Sequence, residues 1–114
     1  MSVNNIQDGI LAVYPVTEKQ LATDLQQLNE MAADDGDFDV IINLSQVEMI
    51  NSSNISSLIL LRQVLQRHCR ELILYELNFT TRGMFAVLGL NDFFLFAKSK
   101  ACAIEAIKHQ HILG

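Results

Sequence analysis

The stretch Val40-Ile41-Ile42-Asn43-Leu44-Ser45, followed by Gln46-Val47-Glu48-Met49-Ile50 and then Asn51-Ser52-Ser53-Asn54, decides the fold. Val40, Ile41 and Ile42 in a row form the pattern of a strand covered on both faces, as in a parallel sheet between helices, so a central strand is expected over Phe38 to Leu44. Residues 51–54 carry side chains that can bond to free backbone donors, and a long apolar-rich segment follows them, which marks a helix start. This helix is expected from about Ser52 to His68. A strand-to-helix turn of that kind presents hydroxyls at the positive end of a helix dipole, where amide donors are free and anions are stabilised. Taken alone, the feature is also what Asn51 capping a helix with its first-turn serines in solvent looks like.

The neighbouring segments continue the alternation. Gly9 to Tyr14 leans to a strand stopped by Pro15, whose fixed φ and missing N–H suit a strand end. Thr17 followed by Gln20 matches a capping box, and Leu21, Leu25, Leu28 and Ala32 then repeat at helical spacing, with Asp24, Gln27 and Glu30 largely off that stripe. The cluster Asp34-Asp35-Gly36-Asp37 reads as a solvated turn, because the ligand spacing of a calcium loop is absent. Leu72-Ile73-Leu74-Tyr75 is a further strand. Asn78 caps a third helix reaching Leu88, with Gly89 where a left-handed C-terminal residue is wanted. Phe93 to Phe96 is a short aromatic-rich strand, and Ser99 caps a last helix with Ala103, Ile104 and Ile107 on one side. The order implies a layered α/β domain with a largely parallel sheet and about four flanking helices, one domain over 1–114.

Composition narrows the function classes. A chain of 114 residues and 12.8 kDa suits one compact core, and 50% apolar with 18% charged residues argues against disorder. Eight basic against 13 acidic residues leave a net charge of −5, without the general cationic field that attracts phosphate backbones, so direct nucleic-acid binding is not expected. Apolar runs such as Leu58 to Leu61 cover about one helical turn, far short of the roughly 20 residues of a membrane span. Met1 to Asp8 show neither a basic leader nor an apolar stretch of signal length, and a cytoplasmic address is the default expectation. Cys69 and Cys102 form no Cys-x-x-Cys unit and read as ordinary thiols rather than metal or redox groups.

The expected second helix has two apolar sides. At roughly 100° per residue, Ile55, Leu58, Ile59, Leu61 and Leu65 gather toward the sheet, whereas Leu60 and Val64 fall on the opposite stripe with Ser53 and Ser57. That stripe is either a partner-binding surface or the seat of a neighbouring helix of the same domain. His68 ends the helix where an imidazolium complements the dipole, and His109 and His111, two apart, share no face, so no zinc site and no other metal site is expected. Glu48, Glu71, Glu76 and Glu105 show no pairing for acid–base work, and neither a Gly-rich phosphate loop, a nucleophile elbow nor a His-Glu-x-x-His unit is present. Ser52 or Ser53 as a nucleophile would need a base and an orienting group, for which only unplaced histidines are available. The chain does not read as an enzyme, and no cofactor is implied.

The same stretch resembles the STAS family, whose best-known members are bacterial anti-sigma factor antagonists. The family pattern is an apolar strand ending in Asp-Leu-Ser or similar, a short loop, then Asp-Ser-Ser-Gly or Asp-Ser-Thr-Gly opening a helix; Asn43-Leu44-Ser45 and Asn51-Ser52-Ser53-Asn54 occupy those places. Arg70-Glu71-Leu72-Ile73-Leu74 looks like the following strand, and Phe85, Gly89, Leu90 and Phe94 match a later apolar-x-x-x-Gly-Leu-x-x-x-apolar stretch, so the likeness covers roughly 38–107. It implies a mixed sheet with flanking helices and a binding role without catalysis, the partner being a serine kinase that is also an anti-sigma factor. By the same resemblance Ser52 is the candidate phosphoacceptor, and Asn51, Ser53 and Asn54 of the motif, together with Ser57, Leu60 and Val64 of the outer helical stripe, are the expected partner-binding surface. A phosphate adds about −1.5 to −2 charges, acceptable to a helix terminus but disruptive in a tight interface. The sequence departs from the pattern at Asn51, which replaces Asp, at Asn54, which replaces Gly, and at Tyr14-Pro15-Val16-Thr17 before the first helix. Asn51 can still cap but lacks a negative charge for a kinase to read, while a side chain at 54 stands where the family leaves backbone open. The alternative role is a non-phosphorylated STAS subunit serving as a constitutive scaffold in a stress-signalling or lipid-transport assembly, and a homodimer is compatible with either.

Overall fold

The computed structural model of the chain describes residues 3–7 and 9–113, with side chains over 9–110. Among these residues the elements run β1 (Val3–Gln7), β2 (Ile10–Val13), α1 (Glu18–Asp35), β3 (Asp39–Asn43), α2 (Ser52–Arg67), β4 (Leu72–Tyr75), α3 (Phe79–Val87), β5 (Leu95–Ala97) and α4 (Lys100–Leu113). The strands lie in chain order in one sheet, β2 to β5 parallel and β1 antiparallel to β2. Three crossovers running the same way across the sheet put α1, α2 and α3 on one face. There Leu25, Leu28, Leu58, Leu61, Leu65 and Phe85 cover Val13, Val40, Ile42, Leu72 and Leu74. On the other face Ala103 and Ile107 of α4 cover Ile10, Ala12, Ile41, Ile73 and Tyr75. The run at 40–42 is therefore buried on both sides because alternate residues feed two separate cores.

Three expectations are corrected. The N-terminal strand β1 was not anticipated: its polar Asn4, Asn5 and Gln7 do not spell a strand, and it forms by pairing with β2 at the sheet edge. The last strand is Leu95–Ala97 rather than Phe93 to Phe96, because Phe94 plugs the core, its ring 5.5 Å from that of Phe85 in an edge-to-face contact. Asp24, assigned to the outer side of the first helix, is fully buried. Its place three residues after Leu21 and four before Leu28 sets it at the margin of the inward sector. The caps form where expected, with one difference in the first: Thr17 Oγ1 accepts from the Gln20 N–H at 3.0 Å, but the Gln20 side chain reaches one residue past the cap and accepts from the Val16 N–H at 3.2 Å. Asn78 accepts from the Thr81 N–H, Ser99 from the Cys102 N–H, and Gly89 takes the left-handed conformation after α3 with φ 71°.

Burial raises the Tyr75 phenol above its ordinary value of 10.0, opposed by a hydrogen bond from Asn43 and reinforced by the charges of Glu76 and Tyr14. The folded chain thus favours the neutral phenol, so this contribution to stability is complete below the ordinary value and is lost as pH rises above it. Circular dichroism between about pH 9 and 12 is expected to place the alkaline unfolding of Tyr75→Phe above that of the parent chain. An unmoved transition would show that Tyr75 ionisation does not drive it.

Candidate functional site

Parallel strands all end at one edge of the sheet, and the segments that follow them converge there. At the end of β3, Asn43 Oδ1 accepts from the Ser45 N–H at 2.8 Å, a local turn that starts the loop 44–51. Val47 and Ile50 anchor the loop in the core, each 1% exposed, while Gln46, Glu48 and Met49 face solvent. Asn78, the cap of α3, also donates its amide to the Val47 carbonyl at 2.7 Å and to that of Glu48 at 3.5 Å. The loop is thereby fixed at its start by Asn43 and in mid-course by Asn78 of a neighbouring segment.

Asn51 caps α2, its Oδ1 accepting from the Asn54 N–H at 2.7 Å, and its amide donates to a carboxylate oxygen of Glu18 in the first turn of α1. Ser52 and Ser53 follow, both exposed. On the outer flank of α2, Leu60 is 50% exposed, and in the loop Met49 is 59% exposed. Ser57 and Val64 are half-buried: the Ser57 carbonyl accepts from Asn29 of α1 at 3.2 Å, and Val64 packs against the main core. Asn54 departs from the expected surface. It is 1% exposed, and its amide donates to the Glu18 carbonyl at 3.3 Å, so it ties α2 to α1 instead of facing outward. The helix turns it inward because it lies four residues before Leu58 and seven before Leu61, in the buried stripe.

Of the residues expected from the sequence, Asn51, Ser52, Ser53 and Leu60 are exposed, while Glu18, Met49 and Asn78 were not among those expected. Glu18 was legible as a first-turn acid of α1 and Asn78 as a cap, yet their second partners lie about 30 residues away in the chain. His68 caps the far end of α2, about 24 Å from Ser52 at 1.5 Å per residue. His111 lies outside the residues whose side chains are described. Among the described residues no group of three His, Cys, Asp or Glu could hold a metal, and no helix is long and apolar enough to cross a membrane.

The family model for the STAS domain matches residues 5–103, from β1 into α4. The chain belongs to the STAS family. Solved structures agree with this STAS domain at the level of fold. A Thermotoga maritima protein described as an anti-sigma factor antagonist superposes with a TM-score of 0.79 at 13% identity, over 91% of this chain and 92% of the other. SpoIIAA in its unphosphorylated form, an anti-sigma factor antagonist, gives 0.69 at 12% identity, over 94% of both chains. The Bacillus cell fate determinant SpoIIAA in its phosphorylated form gives 0.69 at 15% identity, over 92% and 96%. No curated protein matches the STAS chain by sequence.

Proposed function

We propose that this STAS domain is a non-catalytic, regulatory protein-binding module of the anti-sigma factor antagonist kind. Its docking surface is the loop 45–51 with the outer flank of α2, its partner is a serine kinase that is also an anti-sigma factor, and Ser52 is the residue the kinase modifies. The observation that carries this reading is the exposed Ser52 at the amino end of α2, directly after a loop held by Asn43 and Asn78, with Met49 of that loop and Leu60 on the outer flank of α2 also exposed. A phosphate on Ser52 meets the free amides of the helix terminus but also stands near the carboxylate of Glu18, which Asn51 holds beside the cap. Net negative charge there rises sharply in a surface that a partner must desolvate.

Incubation with ATP and the kinases of the host is expected to add one phosphate to the chain and none to Ser52→Ala, read by intact mass. Leu60→Asp is expected to weaken capture of the kinase about 100-fold, by placing an unpaired charge in the buried centre of the contact. It should leave the melting temperature nearly unchanged, since the site is already half in water. An unmodified parent chain would remove the switch. An unmodified chain that co-purifies with a non-kinase protein, and loses it on Leu60→Asp, would instead mark the constitutive scaffold.

A further inference from the structure

The outer face of α3 has the character of an inner one. Phe79, Arg82, Gly83, Ala86 and Val87 follow the i, i+3, i+4, i+7, i+8 spacing of a packed stripe, yet all five face solvent, with Phe79 91% and Val87 87% exposed. Gly83 adds an independent sign. Its φ is not positive and a Cβ there would meet nothing within 4 Å, so the chain's own fold has no use for a glycine that disfavours the helix interior. A glycine on an outer helix face is useful when another surface must come close to the backbone. Beside it, between α3 and β5, runs a groove of about 770 Å³ bordered by Phe79, Gly83, Ala86 and Phe96 and carrying Glu76, Arg82 and Lys98. Among the described residues β5 is the last strand of the sheet, and its outer edge is unpaired by any of them.

We infer that this face binds a second copy of the chain across a two-fold axis, with Phe79 of each copy entering the groove of the other. Three features of the patch select that occupant. It contains both a protruding ring and a hollow, as an isologous contact requires. It contains both signs of charge, so a two-fold axis can bring the Glu76 carboxylate of one copy opposite the Arg82 or Lys98 cation of the other. Its area also fits: Phe79, Val87, Phe96 and Ala86 present on the order of 400 Å² of apolar surface, which matches the roughly 65% non-polar content of an interface burying about 600 Å² per partner. That is the low end for a specific contact, so a reversible dimer is expected. Ser52 has no part in it, and the inference stands or falls separately from the proposed phosphorylation.

Sedimentation equilibrium from about 1 to 300 µM should show a monomer–dimer equilibrium with a dissociation constant in the micromolar range. Phe79→Asp and Gly83→Gln should each remain monomeric over the same range. Neither change touches the core: Phe79 is in water, and a glutamine at 83 has open space and improves the helix, so at concentrations below the dissociation constant Gly83→Gln should melt at or above the parent temperature. A parent chain that stays monomeric throughout overturns the inference. So does a dimer that survives both substitutions, because its contact must then lie elsewhere.

Discussion

Arg70→Ala should lower the stability of the domain by about 3–5 kcal/mol, the cost of leaving a buried carboxylate without its cation. The carboxylate is that of Asp39, whose side chain is fully buried at the start of β3, with Oδ2 3.1 Å from the Arg70 guanidinium. Its other oxygen accepts from the Glu71 N–H at 2.8 Å, so one side chain staples the amino ends of the two central strands. Arg70 also grips Asp37 at 2.8 Å, but that carboxylate is 79% exposed, and solvent screening leaves such a pair worth about 0–1 kcal/mol. Asp37→Ala is therefore the control and should cost less than about 1 kcal/mol. Urea unfolding of the three chains with a common m-value distinguishes the two contributions. Equal losses for Arg70→Ala and Asp37→Ala would mean that Asp39 tolerates the loss of the guanidinium.

The contrast between those two aspartates also explains what was legible in the sequence. Asp34, Asp35 and Asp37 read as a solvated turn, whereas Asp39, two residues on, is core; nothing local separates them, because the difference comes from Arg70, about 30 residues away. Elements whose signals are local were readable: the double-covered strand at 40–42, the caps Thr17, Asn51, Asn78 and Ser99, and the terminator Gly89. Elements created by pairing were not. β1 carries no apolar alternation and exists because β2 offers an edge, while β5 is set by where Phe94 finds the core. The site divides in the same way. Helical periodicity put Leu60 outside, but it also put Val64 there, and contact with the core pulls Val64 half inside. As a string of polar residues the motif places Asn54 on the surface. Its position in the buried stripe with Leu58 and Leu61 was already contained in the helical angle.

Asn54→Gly, which restores the residue usual in the family pattern, should therefore harm this chain. The amide of Asn54 donates to the Glu18 carbonyl, and its loss removes that tie between α2 and α1 while adding glycine entropy to the first turn of α2. Together these effects are expected to cost about 1–2 kcal/mol in urea unfolding. The rate of Ser52 modification should not rise, since the side chain removed points into the α1–α2 contact and covers none of the outer surface. A faster reaction in the glycine variant would mean that Asn54 does obstruct the approach to Ser52. The companion position obeys the same logic. Asn51 accepts from the Asn54 N–H and donates to Glu18 at once, a pairing that an aspartate cannot make, so Asn51→Asp sets two carboxylates against each other beside the helix terminus. Combined with Glu18→Gln, which returns a donor to the contact, it should recover most of the loss in a double-mutant cycle. Recovery would show that Asn51 and Glu18 act as one unit, with the acid beside the cap of α2 supplied from the first turn of α1. Additive losses would leave Glu18 and Asn51 as independent groups and remove the acid beside Ser52 as a replacement for the missing aspartate.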